Sequence, residues 1–100
     1  MLTKSKIIQI LRKEQLFLKQ NFGVKKIAIF GSFAKDKARS KSDVDIFVEL
    51  QKPLGLEFIR LIDYLERKIG RKADVLTRAG IESIRIKKVA QHIKRSLIYV

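Results

Sequence analysis

The chain has 100 residues, of which 23 are Lys or Arg and 10 are Asp or Glu, so its formal net charge is +13. This length predicts a single domain over residues 1–100, and the charge predicts a polyanionic or acidic partner. The lack of cysteine excludes disulfides and thiolate metal sites. Because no apolar run reaches about 18 residues and no signal peptide is evident, we expect a cytoplasmic protein with no membrane partner.

The first predicted elements are a helix and a strand. Apolar residues at helical spacing predict a helix from Thr3 or Ser5, each a plausible N-cap, to Phe22, with Gly23 as its stop. Its inner stripe consists of Ile7, Ile8, Leu11, Leu18 and Phe22. The next segment, Val24–Phe30, is β-rich and bounded by glycines, which indicates a strand.

A tight turn follows this strand. Gly31 allows a positive φ or a close approach of the backbone to a phosphate, and Ser32 supplies a hydroxyl. We expect Ser32 to start a helical turn, whose free N–H groups suit an anion. Residues 33–42 are polar and rich in Lys, Arg and Ser. The Gly31-Ser32 pair is therefore a candidate phosphate-binding turn.

A second strand begins at Asp43. Apolar residues alternate with the others, so that one face carries Val44, Ile46, Val48 and Leu50 and the other carries Asp43, Asp45, Phe47 and Glu49. This alternation predicts a strand with one face in the core. Asp43 and Asp45 then share the other face, with Cα atoms roughly 6.6 Å apart at about 3.3 Å rise per residue. At that separation two carboxylates can converge on one or two divalent ions.

Paired carboxylates have a specific chemical use. They repel each other, and each raises the pKa of the other, unless a cation neutralises both. Mg²⁺ binds carboxylate oxygens together with substrate phosphates, and two metals about 3.5–4 Å apart stabilise the attacking and leaving oxygens of a phosphoryl displacement. Alone, Asp43 and Asp45 can be solvated edge residues, and Gly31-Ser32 can be an ordinary turn. Their combination favours a site for metal and phosphate.

A second helix and a third strand add another carboxylate. The helix follows Pro53 and ends at Gly70, and its inward residues are Leu54, Phe58, Leu61, Ile62, Leu65 and Ile69. Residues 71–77 indicate a short strand in which Asp74 interrupts an apolar run. If this strand lies beside the Asp43 strand, Asp74 can bind one metal or accept a proton from an attacking hydroxyl. The alternative is an ion pair between Asp74 and a nearby Lys or Arg.

The last predicted element is a basic helix. Its expected core residues are Ile81, Ile86, Val89, Ala90, Ile93 and Leu97. Six basic residues suit an acidic protein face, RNA or only solvent, namely Arg78, Arg85, Lys87, Lys88, Lys94 and Arg95. We expect His92 to be a surface residue without a catalytic role. Strands that alternate with helices predict an α/β or α+β domain with a small mixed sheet flanked by helices.

With Gly31-Ser32, Asp43-Val44-Asp45 and Asp74 after a helix, the chain resembles the minimal nucleotidyltransferases of the polymerase-β superfamily over nearly its whole length. This resemblance implies a nucleotidyltransferase core over residues 1–100. It implies that Asp43 and Asp45 bind two Mg²⁺ ions, that Asp74 shares one, and that Gly31 and Ser32 hold the ATP triphosphate. It further implies transfer of AMP to a tyrosine of a HEPN ribonuclease toxin, which the chain binds as a hetero-oligomer and silences as its antitoxin.

Two positions depart from the family pattern. Members often read Gly-Ser-x-Ala-Arg-Gly, whereas Lys35 and Asp36 follow Ala34 in this chain. Lys35 keeps a cation near the phosphates but lacks the bidentate fork of Arg. Asp36 replaces a glycine that would permit a close backbone approach. We include Lys35 and Ser42 among the residues expected to bind ATP.

The sequence thus predicts an ATP- and Mg²⁺-dependent protein adenylyltransferase that releases pyrophosphate. One alternative is a non-catalytic antitoxin that neutralises the toxin by binding alone, although Asp43, Asp45 and Asp74 argue against it. The other is a nucleotidyltransferase that acts on RNA. RNA is a possible but less favoured partner, because such enzymes usually carry additional RNA-binding domains.

Overall fold

Helices and strands alternate along residues 2–100, the part of the chain described by this computed structural model. The elements are α1 (Lys4–Phe22), β1 (Val24–Phe30), α2 (Gly31–Ala34), β2 (Val44–Leu50), α3 (Glu57–Ile69), β3 (Ala73–Thr77), α4 (Arg78–Glu82), α5 (Lys87–Ser96) and β4 (Ile98–Tyr99). None of the helices in this range has the length and apolar character needed to span a membrane.

The first helix begins and ends as its sequence predicts. Of the two candidate N-caps, Thr3 is the one used, and its Oγ1 accepts the backbone N–H of Lys6 at 3.2 Å. Gly23 ends the helix in the left-handed region, with φ 66°, and its N–H donates to the carbonyls of Leu18 and Lys19. A residue with a side chain would be strained at that φ, which explains why the helix stops at this glycine.

The four strands form one sheet in the order β3-β2-β1-β4. The central strand β1 pairs antiparallel with both β2 and β4, whereas β2 and β3 are parallel and are joined through α3. The predicted small mixed sheet flanked by helices is confirmed. Of greatest importance for the site, Asp45 on β2 lies directly opposite Asp74 on β3.

Both faces of the sheet are covered, but unequally. Helices α1 and α3 bury the larger cluster, whose fully buried members include Ile7, Leu11, Leu18, Ile29, Ile46, Val48, Leu61 and Leu65. On the other face, a small cluster of Ala28, Phe30, Phe47 and Ile81 packs against α5 through Ala90, Ile93 and Leu97. Phe47 is only 2% exposed. The alternation in β2 therefore does not mean one solvent face, because α4 and α5 cover part of the carboxylate face.

The structure corrects the prediction for the C-terminal part. The single predicted helix is two helices separated by the non-helical residues 83–86, the last of which, Ile86, has an extended backbone (φ −87°, ψ 104°). Ile86 and Val89 are 64% and 45% exposed, so placing them in the core was wrong. Strand β4 was not predicted. It pairs with β1 only at Ala28 and Ile29 and leaves the Val24 end of that edge unpaired by β4.

Candidate functional site

The turn after β1 holds the carboxylate of Asp45 against the backbone of Gly31. Gly31 begins α2 with φ 72°, one residue earlier than the predicted start at Ser32. A Cβ atom at Gly31 would overlap Oδ2 of Asp45 and lie 2.9 Å from its Cγ. Only glycine leaves room for this contact, and the turn and the carboxylate therefore form one site.

Three carboxylates meet beside this turn. Asp43 immediately precedes β2, Asp45 lies within β2, and Asp74 is the β3 residue opposite Asp45. The pKa of Asp45 is raised from 3.8 to about 6, chiefly because the carboxyl is partly buried and further because Asp74 and Asp43 add negative charge nearby. The parallel pairing of β2 with β3 thus brings Asp74 to the other two and meets the condition on which its place in the site depended.

The donor set suits Mg²⁺. Asp43 and Asp74 are exposed, and Asp45 is half-buried. Within residues 2–100, no three Asp, Glu, His or Cys side chains already enclose a metal-sized position. Mg²⁺ typically uses one or two carboxylates with substrate phosphates and water instead of an all-protein cage. A divalent cation here would offset the repulsion that raises the pKa of Asp45, so the residues fit this metal.

The predicted phosphate-binding residues lie on the turn, directly after it, or, for Ser42, next to Asp43 in the chain. Ser32 lies in the first turn of α2, and Phe30, at the N-cap, provides no side-chain cap for the helix. The ammonium of Lys35 donates to Nε2 of His92 at 2.9 Å. The Oγ of Ser42 accepts the backbone N–H of Arg39 at 2.8 Å, and its own O–H stays available to donate. Contact of these residues with ATP stays a prediction.

Asp36 adopts the conformation that a glycine would supply. Its φ is 56°, the only positive φ of a non-glycine residue within residues 2–100. Asp is among the residues that tolerate this left-handed region best. Its carboxylate pairs with Lys4 at 3.1 Å. The departure from the family glycine is accordingly accommodated by the backbone of the loop.

Two residues near the site were missed by the sequence analysis. Arg71 donates to the carbonyl of Ser42 at 2.9 Å, and its guanidinium lies 5.6 Å from the ring centroid of Phe33. It therefore ties the start of β3 to α2 and to the residue before Asp43. His92 is exposed, as expected, but it also contacts Lys35. A basic residue just before the Asp74 strand was a usable signal for Arg71, whereas nothing in the sequence links His92 to Lys35.

Sequence comparisons match the whole region that forms this site. The model of the nucleotidyltransferase domain family matches residues 6–100. The chain is 36% identical over 101 residues to the protein adenylyltransferase MntA of Thermococcus cleftensis, covering 100% of this chain and 98% of that one. It is 42% identical over 103 residues to MJ1379 of Methanocaldococcus jannaschii, which is provisionally named a protein adenylyltransferase, with full coverage of both chains.

Solved structures share the fold at lower identity. A protein provisionally described as a minimal nucleotidyltransferase superposes with a TM-score of 0.74 at 23% identity, over 97% of this chain and 95% of its own. A toxin–antitoxin complex with AMP-PNP gives 0.65 at 21% identity, over 98% and 72%. A tri-AMPylated Shewanella oneidensis HEPN toxin in complex with its MNT antitoxin gives 0.56 at 20% identity, over 96% and 66%. Since the family match spans nearly the whole chain and contains both halves of the site, this protein belongs to the nucleotidyltransferase family, as its sequence resemblance predicted.

Proposed function

We propose that this chain is a protein adenylyltransferase that transfers AMP from ATP to a tyrosine of a HEPN toxin and thereby acts as its antitoxin. The observation that carries the proposal is the meeting of Asp43, Asp45 and Asp74 beside the Gly31 turn. Relatives named as protein adenylyltransferases support the reaction class. The neighbouring fold in a complex with an AMPylated HEPN toxin supports the partner.

The carboxylates have distinct parts in this reaction. Asp43, Asp45 and Asp74 would hold Mg²⁺, two ions in our proposal, which when bound offset the charge of the triphosphate and of the leaving group. Asp74 is exposed on β3 and can take the proton of the incoming hydroxyl. The tyrosine oxygen then bonds to the α-phosphorus as the bond from that phosphorus to the bridging oxygen breaks, and pyrophosphate leaves in line.

The turn and its loop orient the nucleotide. Because Gly31 has no Cβ, the Asp45 carboxylate lies against the backbone of the turn, so a triphosphate bound at the turn would lie next to the carboxylates. Ser32 and Ser42 offer hydroxyls, and Lys35 offers an ammonium for the phosphate oxygens. Held in this way, the α-phosphorus faces the acceptor oxygen. The bimolecular reaction then becomes effectively unimolecular, because both reacting groups are already in place.

Intact mass spectrometry of the cognate HEPN toxin tests the proposal. The toxin is incubated with this chain, ATP and Mg²⁺, and an Asp43→Asn/Asp45→Asn double variant is run beside the wild type. We expect a mass gain of whole AMP units with the wild type and none with the variant or with EDTA. Tandem mass spectrometry should place the AMP on tyrosine, and replacing that tyrosine with Phe should prevent the gain.

The alternatives give different results in the same experiment. If the toxin gains no mass and is inhibited equally by the wild type and the variant, the chain acts by binding alone. If AMP from ATP enters RNA and not protein, the chain is an RNA nucleotidyltransferase. Either result would contradict the proposal.

A further inference from the structure

Two exposed aliphatic side chains lie at the start of α5. Ile86 and Val89 are 64% and 45% exposed, although the same helix buries part of Ala90, Ile93 and Leu97 against the sheet. We name this pair the α5 strip. Soluble chains do expose single apolar residues, so exposure alone does not indicate a binding surface, and the location of the strip has to be considered.

The strip leads toward the proposed nucleotide site. Residues three apart on a helix are surface neighbours, so Val89 and His92 are adjacent on α5, and Ile86 is the N-cap residue at the start of the same helix. His92 contacts Lys35 of the turn at 2.9 Å. A molecule that lies on the α5 strip therefore reaches the residues expected to bind the triphosphate.

The segment that carries the strip has charged residues of one sign. Residues 83–100 include no Asp or Glu, and their exposed cations are Arg85, Lys87, Lys88, Lys94 and Arg95. The ion pairs within residues 2–100 involve none of these cations. By contrast, Arg60 and Arg67 of α3 are paired with Glu57 and Asp63. The α5 strip and these five cations, which we name the α5 surface, thus combine two exposed aliphatic side chains with positive charges that no ion pair neutralises.

We propose that the α5 surface binds an acidic, apolar-containing segment of the protein that presents the acceptor hydroxyl. This inference rests on the proposed function. A protein acceptor must hold one hydroxyl in line with the α-phosphorus, and contacts outside the reacting atoms supply the binding free energy for that placement. The five cations match an acidic segment, and the two aliphatic side chains match apolar residues within it.

The same features argue against RNA as the occupant. RNA binding on such a surface typically combines cations with aromatic side chains on which bases stack. Residues 83–100 contain one aromatic residue, Tyr99, which lies on β4 with its ring next to Phe47 and Lys26 instead of on α5. The centre of the surface is aliphatic instead, which suits a protein.

The first test measures the dissociation constant between this chain and the cognate HEPN toxin without nucleotide. We expect an Ile86→Ser/Val89→Ser double variant to raise this constant at least about tenfold, because two aliphatic contacts are lost. A Leu56→Ser/Ile59→Ser variant is the matched control. These residues are 85% and 66% exposed and lie at the start of α3, which packs on the opposite face of the sheet. The control should bind as the wild type does.

A charge-reversal variant tests the acidic character of the partner. The Lys87→Glu/Lys88→Glu variant should bind the toxin more weakly than the Ile86→Ser/Val89→Ser variant does. Added salt should weaken the wild-type complex more than it weakens the complex of this charge-reversal variant. For both α5 variants the affinity for Mg²⁺-ATP should stay within about twofold of wild type, which separates docking from damage to the nucleotide site.

Wild-type toxin affinity in both α5 variants would overturn the inference. So would loss of RNA binding in these variants with toxin binding retained. Absence of AMP transfer by the wild type would instead contradict the proposed function, and the dissociation constants would still decide whether α5 is the docking surface.

Discussion

Replacing Gly31 by Ala is the sharpest test of the site geometry. At φ 72° an alanine is in the left-handed region, which costs about 1–2 kcal/mol in free energy of unfolding. Its Cβ would also lie 2.9 Å from Cγ of Asp45 and overlap Oδ2, closer than carbon atoms pack. The Asp45 carboxylate must therefore move by roughly 1 Å, and a displacement of that size in a reactive group lowers rates about 100-fold.

A second glycine provides the matched control. Gly70, which ends α3, has φ 77°, and no atom lies within 4 Å of the position that its Cβ would take. Gly70→Ala therefore carries the same backbone strain without any contact with the site. For a domain of this size, about 1–2 kcal/mol lowers the melting temperature by roughly 4–16 °C.

The assay combines melting temperature with the rate of AMP transfer below both transitions. We expect both variants to melt earlier, and only Gly31→Ala to lose about 100-fold in rate. If Gly31→Ala transfers AMP as fast as Gly70→Ala, the Asp45 carboxylate is not held against Gly31 for catalysis, and the reasoning from this contact fails.

Two further predictions concern single side chains. The pKa of Asp45 is raised to about 6 in the folded chain, so the folded state binds a proton more tightly than the unfolded state and stability falls as the pH rises from about 4 to about 6. The shift corresponds to about 3 kcal/mol at most, which solvent screening of this half-exposed group reduces to about 1–2 kcal/mol. Without Mg²⁺, Asp45→Asn should raise the free energy of unfolding by about 1–2 kcal/mol at pH 7.5 but not at pH 4, as measured by urea titration. An equal increase in the free energy of unfolding at both pH values would contradict this prediction. At the turn, His92→Ala should raise KM for ATP about two- to tenfold at constant kcat, because Lys35 loses one hydrogen bond. A His92→Gln variant can accept this hydrogen bond and should restore the wild-type KM. A Gln variant as weak as the Ala variant would show that the bond has no part in ATP binding.

Element ends with strong local signals were predicted from the sequence to within a residue or two, whereas the start of α3, predicted directly after Pro53, was wrong because the helix begins only at Glu57. Thr3 and Gly23 fix the ends of α1 through a cap and a left-handed residue, and Gly70 ends α3 in the same way. The alternation after Asp43 placed two carboxylates on one face of β2. For these elements, the physical cause is local, and the sequence displays it.

The features that the sequence did not predict depend on contacts between residues far apart in the chain. The break between α4 and α5 covers residues 83–86, which contain no glycine or proline, and Ile86 sits at helical spacing with Ile93. Strand β4 has two residues, too few for an alternation to be visible. The Lys35–His92 contact joins residues 57 positions apart. Asp74 was predicted to join the site only if β3 lay beside β2, a condition that the chain order alone does not determine.

The short length of β4 also bears on whether two copies of this chain can pair through their sheet edges. Because β4 pairs only with Ala28 and Ile29, the Val24 end of β1 has backbone groups that a strand of another molecule could bind. Lys25 and Lys26 are exposed on that stretch, and two such charged side chains brought against their own copies would repel strongly. The excess of positive charge, which elsewhere suits an acidic partner, here places two like charges on a partly open sheet edge, an arrangement that opposes pairing between copies of the chain.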